Sequence, residues 1–344
     1  MTTQTTLRQQ AEQAMRRQWF PVARSVDLQD KPLAATLLGE KLVVYRTASG
    51  KAVVQESRCP HRGANLAQGE IKGENIACPY HGWQFAATTG RCSHVPSMED
   101  QCKIPHTAAI RTHACVERYG HVWTTLEAPA FEMYDLAEWH GLELEWLAAE
   151  PLDSPTGVAV AIENFGDVSH FAYVHRGMMG QMSPLVEPLN VRRDGLDVWM
   201  DRPLSACQGE WATDGDCMMH YHMVAPGFIA ITYKYDKLGT RVVAGFPCPV
   251  AYDDVKIFWG VANASDYRGE SLEECLRLEK ELYWEDLPVA AGIVPREIDW
   301  DGNFVEHSVQ SDLYTLNYRR AYREFIERGN RPQAAAASQE QALV

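Results

Sequence analysis

The sequence predicts an α+β fold in two domains, a small antiparallel β domain followed by an antiparallel sheet wrapped by helices. Three observations predict it. The chain has 344 residues, about twice the usual length of a single domain. Short strand-like runs separated by turns occupy residues 33–126. Two helical segments, near residues 270–287 and 303–328, follow the later strands.

The N-terminal domain is predicted to span residues 17–128. A polar helix from Thr5 to Arg17 comes before it, after which Trp19 and Phe20 enter a core. Gly, Pro and Asn residues separate the runs that follow, as is typical of turns between antiparallel strands. The clearest strands predicted here are residues 41–47, 52–57, 115–120 and 121–126.

The C-terminal domain is predicted to span residues 129–332, because residues 127–155 contain several prolines and no clear period, as a boundary region does. A strand at 156–163 (TGVAVAIE) opens its regular structure, and a helix-like stretch follows. Residues 333–344 have no core-forming pattern and are predicted to be a mobile tail. The later strands are predicted near residues 188–194, 217–224, 228–235, 241–246 and 255–262.

Composition narrows the classes of partner and compartment. The 46 acidic and 32 basic side chains give a net charge of −14, which repels nucleic-acid phosphates and anionic bilayers. No signal-peptide pattern is present, and no segment approaches the ~20 apolar residues of a membrane span, so we expect a cytoplasmic protein. Nine cysteines, an odd number, in so long a chain argue against a secreted disulfide framework.

Cysteine and histidine alternate in one segment, as Cys59-X-His61 and Cys78-X-X-His81. An iron–sulfur cluster with mixed ligation needs two thiolates on one iron and two imidazoles on the other, and two loops that each carry one of both can serve both irons. The pattern therefore predicts a [2Fe–2S] cluster. A structural zinc site is the alternative, although such sites usually group cysteines in one pair and histidines in another.

A second set of polar residues follows in ENFGDVSHFAYVHRG, with Asn164, Asp167 and His170 spaced by three and His175 five residues further on. The first three share one face of a helix. Five residues turn an ideal helix by about 500°, which leaves the two imidazoles about 140° apart. One metal ion can bind both only if the helix is interrupted, and we predict an irregularity around residues 171–174. A pair of ordinary core histidines is the alternative.

Together these segments resemble the Rieske non-haem iron oxygenases, whose catalytic domains carry an N-X-X-D-X-X-H-X4-H signature. The resemblance covers about residues 17–330 and implies a Rieske β domain followed by a helix-grip catalytic domain. It also implies that His170 and His175 bind mononuclear iron(II). In the family the Asp at the position of Asp167 links the first of these histidines to a Rieske histidine of the neighbouring subunit, here His81.

The third iron ligand in the family is a carboxylate far downstream. Asp286 in ELYWEDLPV matches the E-D-X-X-V segment of the small demethylases, including the methylxanthine N-demethylases and dicamba O-demethylase, and is the residue that the resemblance favours. Asp301 in DWDGNFVEH resembles the ligand context of some ring-dihydroxylating members, and Glu306 is a third possibility.

The function implied by the resemblance is that of an oxygenase component that uses O2 on a small, aromatic or heterocyclic substrate. No Gly-rich dinucleotide fingerprint is present, so electrons from NAD(P)H are expected through a separate ferredoxin or flavin reductase. The family implies a homotrimer. Monooxygenation, as hydroxylation or oxidative demethylation, is favoured over ring cis-dihydroxylation; an electron carrier or a zinc-stabilised binding module without oxygenase activity is the alternative of a different class.

Overall fold

The computed structural model describes residues 6–204 and 217–331; the predicted tail at 333–344 lies outside them. The described residues form an α+β fold, in which every paired strand is antiparallel to its neighbour. The predicted fold class is therefore confirmed.

The chain begins with the short helix α1 (Leu7–Met15). Its first turn is held by a capping box in which the Thr6 side chain accepts from the Gln9 N–H, at 3.2 Å, and the Gln9 side chain accepts from the Thr6 N–H, at 3.0 Å. The buried face of α1 packs on the last helix of the chain. The predicted N-terminal helix is thus present, and it ties the two ends of the described chain together.

Short strands build the N-terminal region as three small sheets, with orders β1–β11–β10, β2–β3–β4–β9 and β5–β6–β7–β8. The four predicted strands of this region are found with shifts of one or two residues at their ends. The strands are β1 (Phe20–Arg24), β2 (Leu33–Leu37), β3 (Glu40–Arg46), β4 (Ala52–Glu56), β5 (Glu70–Lys72), β6 (Asn75–Ala77), β7 (Gln84–Ala86), β8 (Cys92–His94), β9 (Thr112–His113), β10 (Cys115–Arg118) and β11 (His121–Thr124).

One large sheet dominates the C-terminal region, with the order β12–β19–β18–β17–β16–β15–β14, and with β13 also paired to β19. Its strands are β12 (Leu144–Ala148), β13 (Leu152–Ser154), β14 (Asn190–Asp194), β15 (Asp197–Leu204), β16 (Cys217–Val224), β17 (Phe228–Tyr235), β18 (Gly239–Ala251) and β19 (Asp254–Ala264). The helices are α2 (Val158–Gly166), α3 (Phe171–Val174), α4 (Arg176–Met179), α5 (Leu272–Ala290) and α6 (Leu313–Gly329).

The strand predicted at residues 156–163 is wrong, because this segment forms helix α2. A short apolar run is compatible with a buried strand and with a buried helix alike. The structure selects the helix through a distant contact: the buried Glu297 side chain accepts from the Ala159 N–H at 3.0 Å, which satisfies a donor of the first turn. Val158 and Ile162 are then fully buried in the main core.

The two predicted C-terminal helices have different limits from those expected. Helix α5 continues through Pro288 to Ala290, so Asp286 lies within the helix rather than at its end. Pro288 lies in the last turn and lacks the N–H that would donate to the Trp284 carbonyl, so the helix loses one backbone hydrogen bond near its end. Helix α6 begins at Leu313, ten residues later than the predicted start at 303.

None of the helices in residues 6–204 and 217–331 combines the length and apolar character that crossing a bilayer requires. The cysteines described in these ranges form no disulfide. Two hydrophobic cores are present, a large one under the main sheet and a smaller one around β5–β8 that includes Cys59 and Cys78.

Two candidate metal centres

Two loops with the same backbone hydrogen bonds carry the first candidate ligand set. In each loop the cysteine carbonyl accepts from the glycine four residues on, Gly63 N to Cys59 O at 2.9 Å and Gly82 N to Cys78 O at 3.0 Å. Each cysteine N–H donates to the carbonyl five residues on, at 2.9 and 2.8 Å. The glycines have φ values of +76° and +69°, which residues with a Cβ rarely adopt. The chain therefore builds one turn twice.

The thiols of these loops point into the protein and the imidazoles point outward. Cys59 and Cys78 are 1% and 4% exposed, whereas His61 is partly exposed and His81 is exposed. The two imidazole rings lie 4.7 Å apart, and His61 stacks on Trp83 at 4.4 Å. This orientation is the one that a cluster with one thiolate-bound and one imidazole-bound iron requires.

The polar atoms of these loops fit a bound iron–sulfur cluster. Burial raises the pKa of the Cys59 thiol to about 11, so the thiolate needs a metal cation to form at neutral pH. The His61 Nδ1 atom is buried and has no hydrogen-bond partner. Both observations are explained if the Cys59 thiol and the His61 Nδ1 atom are metal ligands.

The second candidate set brings together three residues that are far apart in sequence. His170 Nε2 lies 3.0 Å from His175 Nε2, and Asp286 Oδ1 lies 3.4 Å from each of these nitrogens. Two imidazoles and one carboxylate in a compact triangle are the donor set of the 2-His-1-carboxylate iron sites. In the described residues this is the one group of at least three His, Cys, Asp or Glu side chains close enough to hold a metal ion.

The helix is interrupted here, as the spacing of His170 and His175 predicts. Helix α2 ends at Gly166, and Asp167 has an extended backbone with φ −74° and ψ 133°. Residues 171–174 form the single turn α3, and His175, with φ −93° and ψ 26°, separates it from α4. The interruptions lie on both sides of residues 171–174 rather than within them, and they turn both imidazoles to one point.

Asp167 is held by its own loop. Its carboxylate accepts from the Ser169 N–H and hydroxyl at 2.9 and 2.7 Å and lies 3.0 Å from His170 Nδ1. Burial works in the opposite direction, but the hydrogen bonds from His170 and Ser169 lower the pKa of Asp167 to about 2. The carboxylate is therefore ionised and fixes the His170 ring with Nε2 directed at the triangle.

The triangle fits a cation. Burial raises the pKa of Asp286 to about 6, although the nearby His170 and the Asn164 side chain both lower it. Its Oδ1 atom is buried and accepts no hydrogen bond. Burial, followed by the charge of His170, lowers the pKa of His175 to about 4, so its imidazole is neutral. A neutral His175 imidazole beside an unpartnered carboxylate oxygen is the form in which these two groups bind a metal ion.

The other two carboxylates considered from sequence lie elsewhere. Asp301 is exposed, and its N–H donates to Asp299 at 3.1 Å. Glu306 lines the same cavity of about 480 Å³ as Asp286, but it pairs with Arg319 and is not part of the triangle. The geometry therefore favours Asp286 as the third ligand.

Sequence reasoning assigned no role to Glu285, the neighbour of Asp286. In the structure its Oε2 lies 3.1 Å from His175 Nδ1. The signal available in the sequence was the pair of adjacent acids ahead of Pro288, because carboxylates near the C-terminal end of a predicted helix oppose its macrodipole and fit a surface role poorly.

Comparison with known proteins decides the family. A model of the Rieske [2Fe–2S] domain matches residues 18–114, and a model of the vanillate O-demethylase oxygenase C-terminal domain matches residues 156–328. The chain belongs to the Rieske non-haem iron oxygenases. The predicted [2Fe–2S] cluster, mononuclear iron, O2 and reductase-supplied NAD(P)H electrons are thereby confirmed as the cofactors and co-substrates of this oxygenase.

Individual relatives agree with this family. Methylxanthine N1-demethylase NdmA of Pseudomonas putida is 28% identical over 326 residues, 91% of this chain and 90% of the relative. The structure of NdmA from strain CBB5 with caffeine superposes with a TM-score of 0.79 at 26% identity, covering 92% of this chain and 93% of the other.

Two further proteins extend the likeness. The vanillate O-demethylase oxygenase subunit of Pseudomonas sp. (strain HR199 / DSM 7063) is 27% identical over 306 residues, 78% of this chain and 83% of the relative. Dicamba monooxygenase bound to dicamba has a TM-score of 0.75 at 18% identity, over 91% of this chain and 98% of that one, which shows a shared fold. The oxygenase is therefore similar along most of its length to enzymes of this family.

Proposed function

We propose that this oxygenase is a monooxygenase that hydroxylates, or oxidatively removes a methyl group from, a small aromatic or heterocyclic substrate. The observation that carries the oxygen chemistry is the triangle of His170, His175 and Asp286 in the same chain as the Rieske loops. Likeness to an N-demethylase and an O-demethylase over most of the chain supports demethylation as the reaction.

We propose the following assignment of ligands. Cys59, His61, Cys78 and His81 hold the [2Fe–2S] cluster, and His170, His175 and Asp286 hold the mononuclear iron. When bound there, iron supplies the activation of O2, and the protein supplies position and exclusion of water. We propose that Asn164, which lines the same cavity as Asp286, supports that carboxylate.

We propose that Asp167 links the two centres across a subunit boundary in a homotrimer, where it meets His81 of the partner subunit. His81 is exposed, and Asp167 lines the cavity of about 480 Å³. The hydrogen-bond donors to Asp167 come from its own loop, so its carboxylate can also accept from a neighbouring subunit. A cyclic trimer repeats this contact three times.

The domain limits and the location are also proposals. We propose domains at residues 17–128 and 129–332, which agree with the two family models and with the pairing of β12 and β13 to β19. The electrons of the reaction come from NAD(P)H through a ferredoxin or flavin reductase, so we propose a cytoplasmic location.

The reaction is tested by incubating the oxygenase with a reductase, NADH, 18O2 and a set of methylated aromatics and N-methylated heterocycles. Demethylation releases one formaldehyde for each substrate consumed, and hydroxylation places one labelled oxygen on the product. A product with two labelled oxygens on one ring would replace monooxygenation by cis-dihydroxylation. A purified chain that contains zinc and no acid-labile sulfide would refute the oxygenase proposal altogether.

Mixed trimers test the contact between subunits. A Cys59→Ser chain lacks the cluster and an Asp286→Ala chain lacks the iron, so each homo-oligomer is inactive. If electrons cross from one subunit to the next, co-expression of the two variants restores part of the turnover. If they stay within one chain, or if the protein is monomeric by light scattering, the mixture remains inactive and the trimer proposal fails.

A further inference from the structure

The two histidines of the iron site are each bound by a carboxylate at the ring nitrogen that faces away from the metal. His170 Nδ1 lies 3.0 Å from Asp167 Oδ2, and His175 Nδ1 lies 3.1 Å from Glu285 Oε2. The function proposed above uses Asp167. It leaves Glu285 without a role.

We propose that Glu285 is a positioning residue for iron, which holds His175 with Nε2 directed at the metal, and that Gly177 provides the space for the Glu285 carboxylate. This inference rests on the iron site of the proposed function.

The chemistry of the ring explains why His175 needs such a partner. A neutral imidazole carries one N–H, and a carboxylate can only accept. Placing the carboxylate at Nδ1 therefore fixes the N–H there and leaves the lone pair on Nε2 for the metal. The His175 side chain is 4% exposed, so solvent cannot take over this task.

One helix contacts both nitrogens of the same ring. Glu285 and Asp286 are consecutive residues of α5, and consecutive helical residues project about 100° apart. Glu285 reaches Nδ1 at 3.1 Å, and Asp286 Oδ1 lies 3.4 Å from Nε2. The position of His175 relative to α5 is therefore fixed at two points, one of which is the metal side.

The position of Gly177 supports the role of Glu285 independently of these distances. This glycine lies two residues after His175, in α4, and a Cβ atom added there would come 2.2 Å from Glu285 Oε1. The other atom of Glu285 within contact range, Cδ, would lie at 3.5 Å, and no backbone atom would be close. A methyl group at this position must therefore push the carboxylate away from His175, while the helix itself can stay in place.

Three single variants, one double variant and two controls test the proposal. They are Glu285→Ala, Glu285→Gln, Gly177→Ala, the double variant Gly177→Ala/Glu285→Ala, and the matched control Glu281→Gln, in which the residue is exposed one turn earlier on α5. Gly292→Ala is the control for an added methyl group, because a Cβ there meets no atom closer than 3.4 Å.

The measurement is the affinity of the oxygenase for iron(II), by anaerobic titration against a chelator, with the absorbance of the Rieske cluster as the internal measure of folded protein. Loss of a hydrogen-bonding partner behind a metal ligand typically costs about 10–100-fold in metal affinity. We expect a loss in that range for Glu285→Ala and Gly177→Ala, a smaller loss for Glu285→Gln, which keeps an acceptor, and no change for the controls.

The double variant separates a shared mechanism from two separate defects. If Gly177 acts by making room for Glu285, then Gly177→Ala adds nothing once Glu285 is Ala. The EPR spectrum of the iron(II)–nitric oxide adduct gives a second readout, and its symmetry should change in Glu285→Ala and not in Glu281→Gln.

The outcomes that overturn the inference are distinct from those that overturn the function. Equal iron affinity in the wild type and Glu285→Ala refutes the positioning role. A full loss from Gly177→Ala in the Glu285→Ala background refutes the steric link. If the wild type itself binds no mononuclear iron, the proposed function fails, and this inference fails because it rests on that function.

Discussion

The two ligand sets of this oxygenase are built in opposite ways. The Rieske loops place four candidate ligands within residues 59–81, on two turns with the same backbone hydrogen bonds. The iron triangle joins residues 170 and 175 to residue 286, and it depends on helix α5 packing beside α4. The first set ends in an exposed imidazole, His81, whereas in the second His175 is buried and His170 and Asp286 are partly buried.

This difference matches two tasks. A centre that passes electrons to another subunit needs an edge at the surface, and in the proposed trimer His81 provides one. A centre that activates O2 must limit the access of water, and His175 is buried while the side chains of His170 and Asp286 are each only 15% exposed. Each of the following predictions tests whether a variant affects one centre and not the other, or compares two residues within one centre.

The largest effect is expected from Cys78→Ser, because a hydroxyl cannot replace the thiolate of the cluster. We expect complete loss of the red-brown absorbance, of acid-labile sulfide and of turnover. The iron triangle lies outside the smaller core that contains Cys59 and Cys78, so iron(II) affinity should stay near that of the wild type. The exposed Cys102 gives the control: Cys102→Ser should change nothing. A retained cluster spectrum in Cys78→Ser would contradict the assignment.

Asp286→Ala is expected to have the complementary effect. Removal of the carboxylate leaves two imidazoles, and the loss of iron(II) affinity should exceed the about 10–100-fold that a supporting hydrogen bond contributes. The cluster absorbance should persist. Asp301→Ala is the matched control, since Asp301 is exposed and outside the triangle; loss of iron in that variant instead would transfer the ligand role to Asp301.

The same contrast decides how much of each site could be predicted from sequence. All four Rieske candidates follow from one local pattern, since each loop needs only its own cysteine, histidine and glycine to form the turn. Asp286 could be chosen over Asp301 only through the resemblance to known demethylases. Its meeting with His170 depends on the packing of α5, which spacing along the chain does not specify.

The fold shows the same limit at α2. The segment TGVAVAIE reads as a strand because Val and Ile favour strands. Its helical form depends on Glu297, which lies 138 residues from Ala159 and supplies a partner for its N–H. Local patterns therefore predicted the α+β class and most strands, and contacts between distant residues decided this helix.

Asp167→Asn is expected to have an intermediate effect. Asparagine keeps the size of the side chain and removes the charge that orients His170 and that, in the proposed trimer, faces the partner subunit. We expect both metals to be retained and turnover to fall by about 10–100-fold, measured with iron and sulfide analysis on the same sample.

Ser169→Ala is the control for Asp167→Asn. It removes the hydroxyl donor at 2.7 Å and leaves the His170 contact at 3.0 Å in place. Its turnover should stay well above that of Asp167→Asn. Equal losses in the two variants would mean that loop geometry, rather than the charge on Asp167, supports electron transfer.

The smallest effects compare the two Rieske turns with each other. Alanine in the left-handed region costs about 1–2 kcal/mol, so Gly63→Ala, at φ +76°, should lower the midpoint of thermal bleaching of the cluster by a few degrees. Gly82→Ala should cost more, because its Cβ would lie 3.0 Å from Pro96 Cγ, whereas at Gly63 the nearest atom is Arg58 Nε at 3.6 Å.

Gly63→Asn separates backbone conformation from loss of space in this comparison. Asparagine adopts the left-handed region more readily than alanine does, and the open surroundings of Gly63 accommodate its side chain. The midpoint of thermal bleaching of Gly63→Asn should therefore lie between those of the wild type and of Gly63→Ala. If the bleaching midpoint of Gly63→Asn is lower than that of Gly63→Ala, the turn is limited by space and not by its positive φ. The two loops would then resemble each other in their steric surroundings as well.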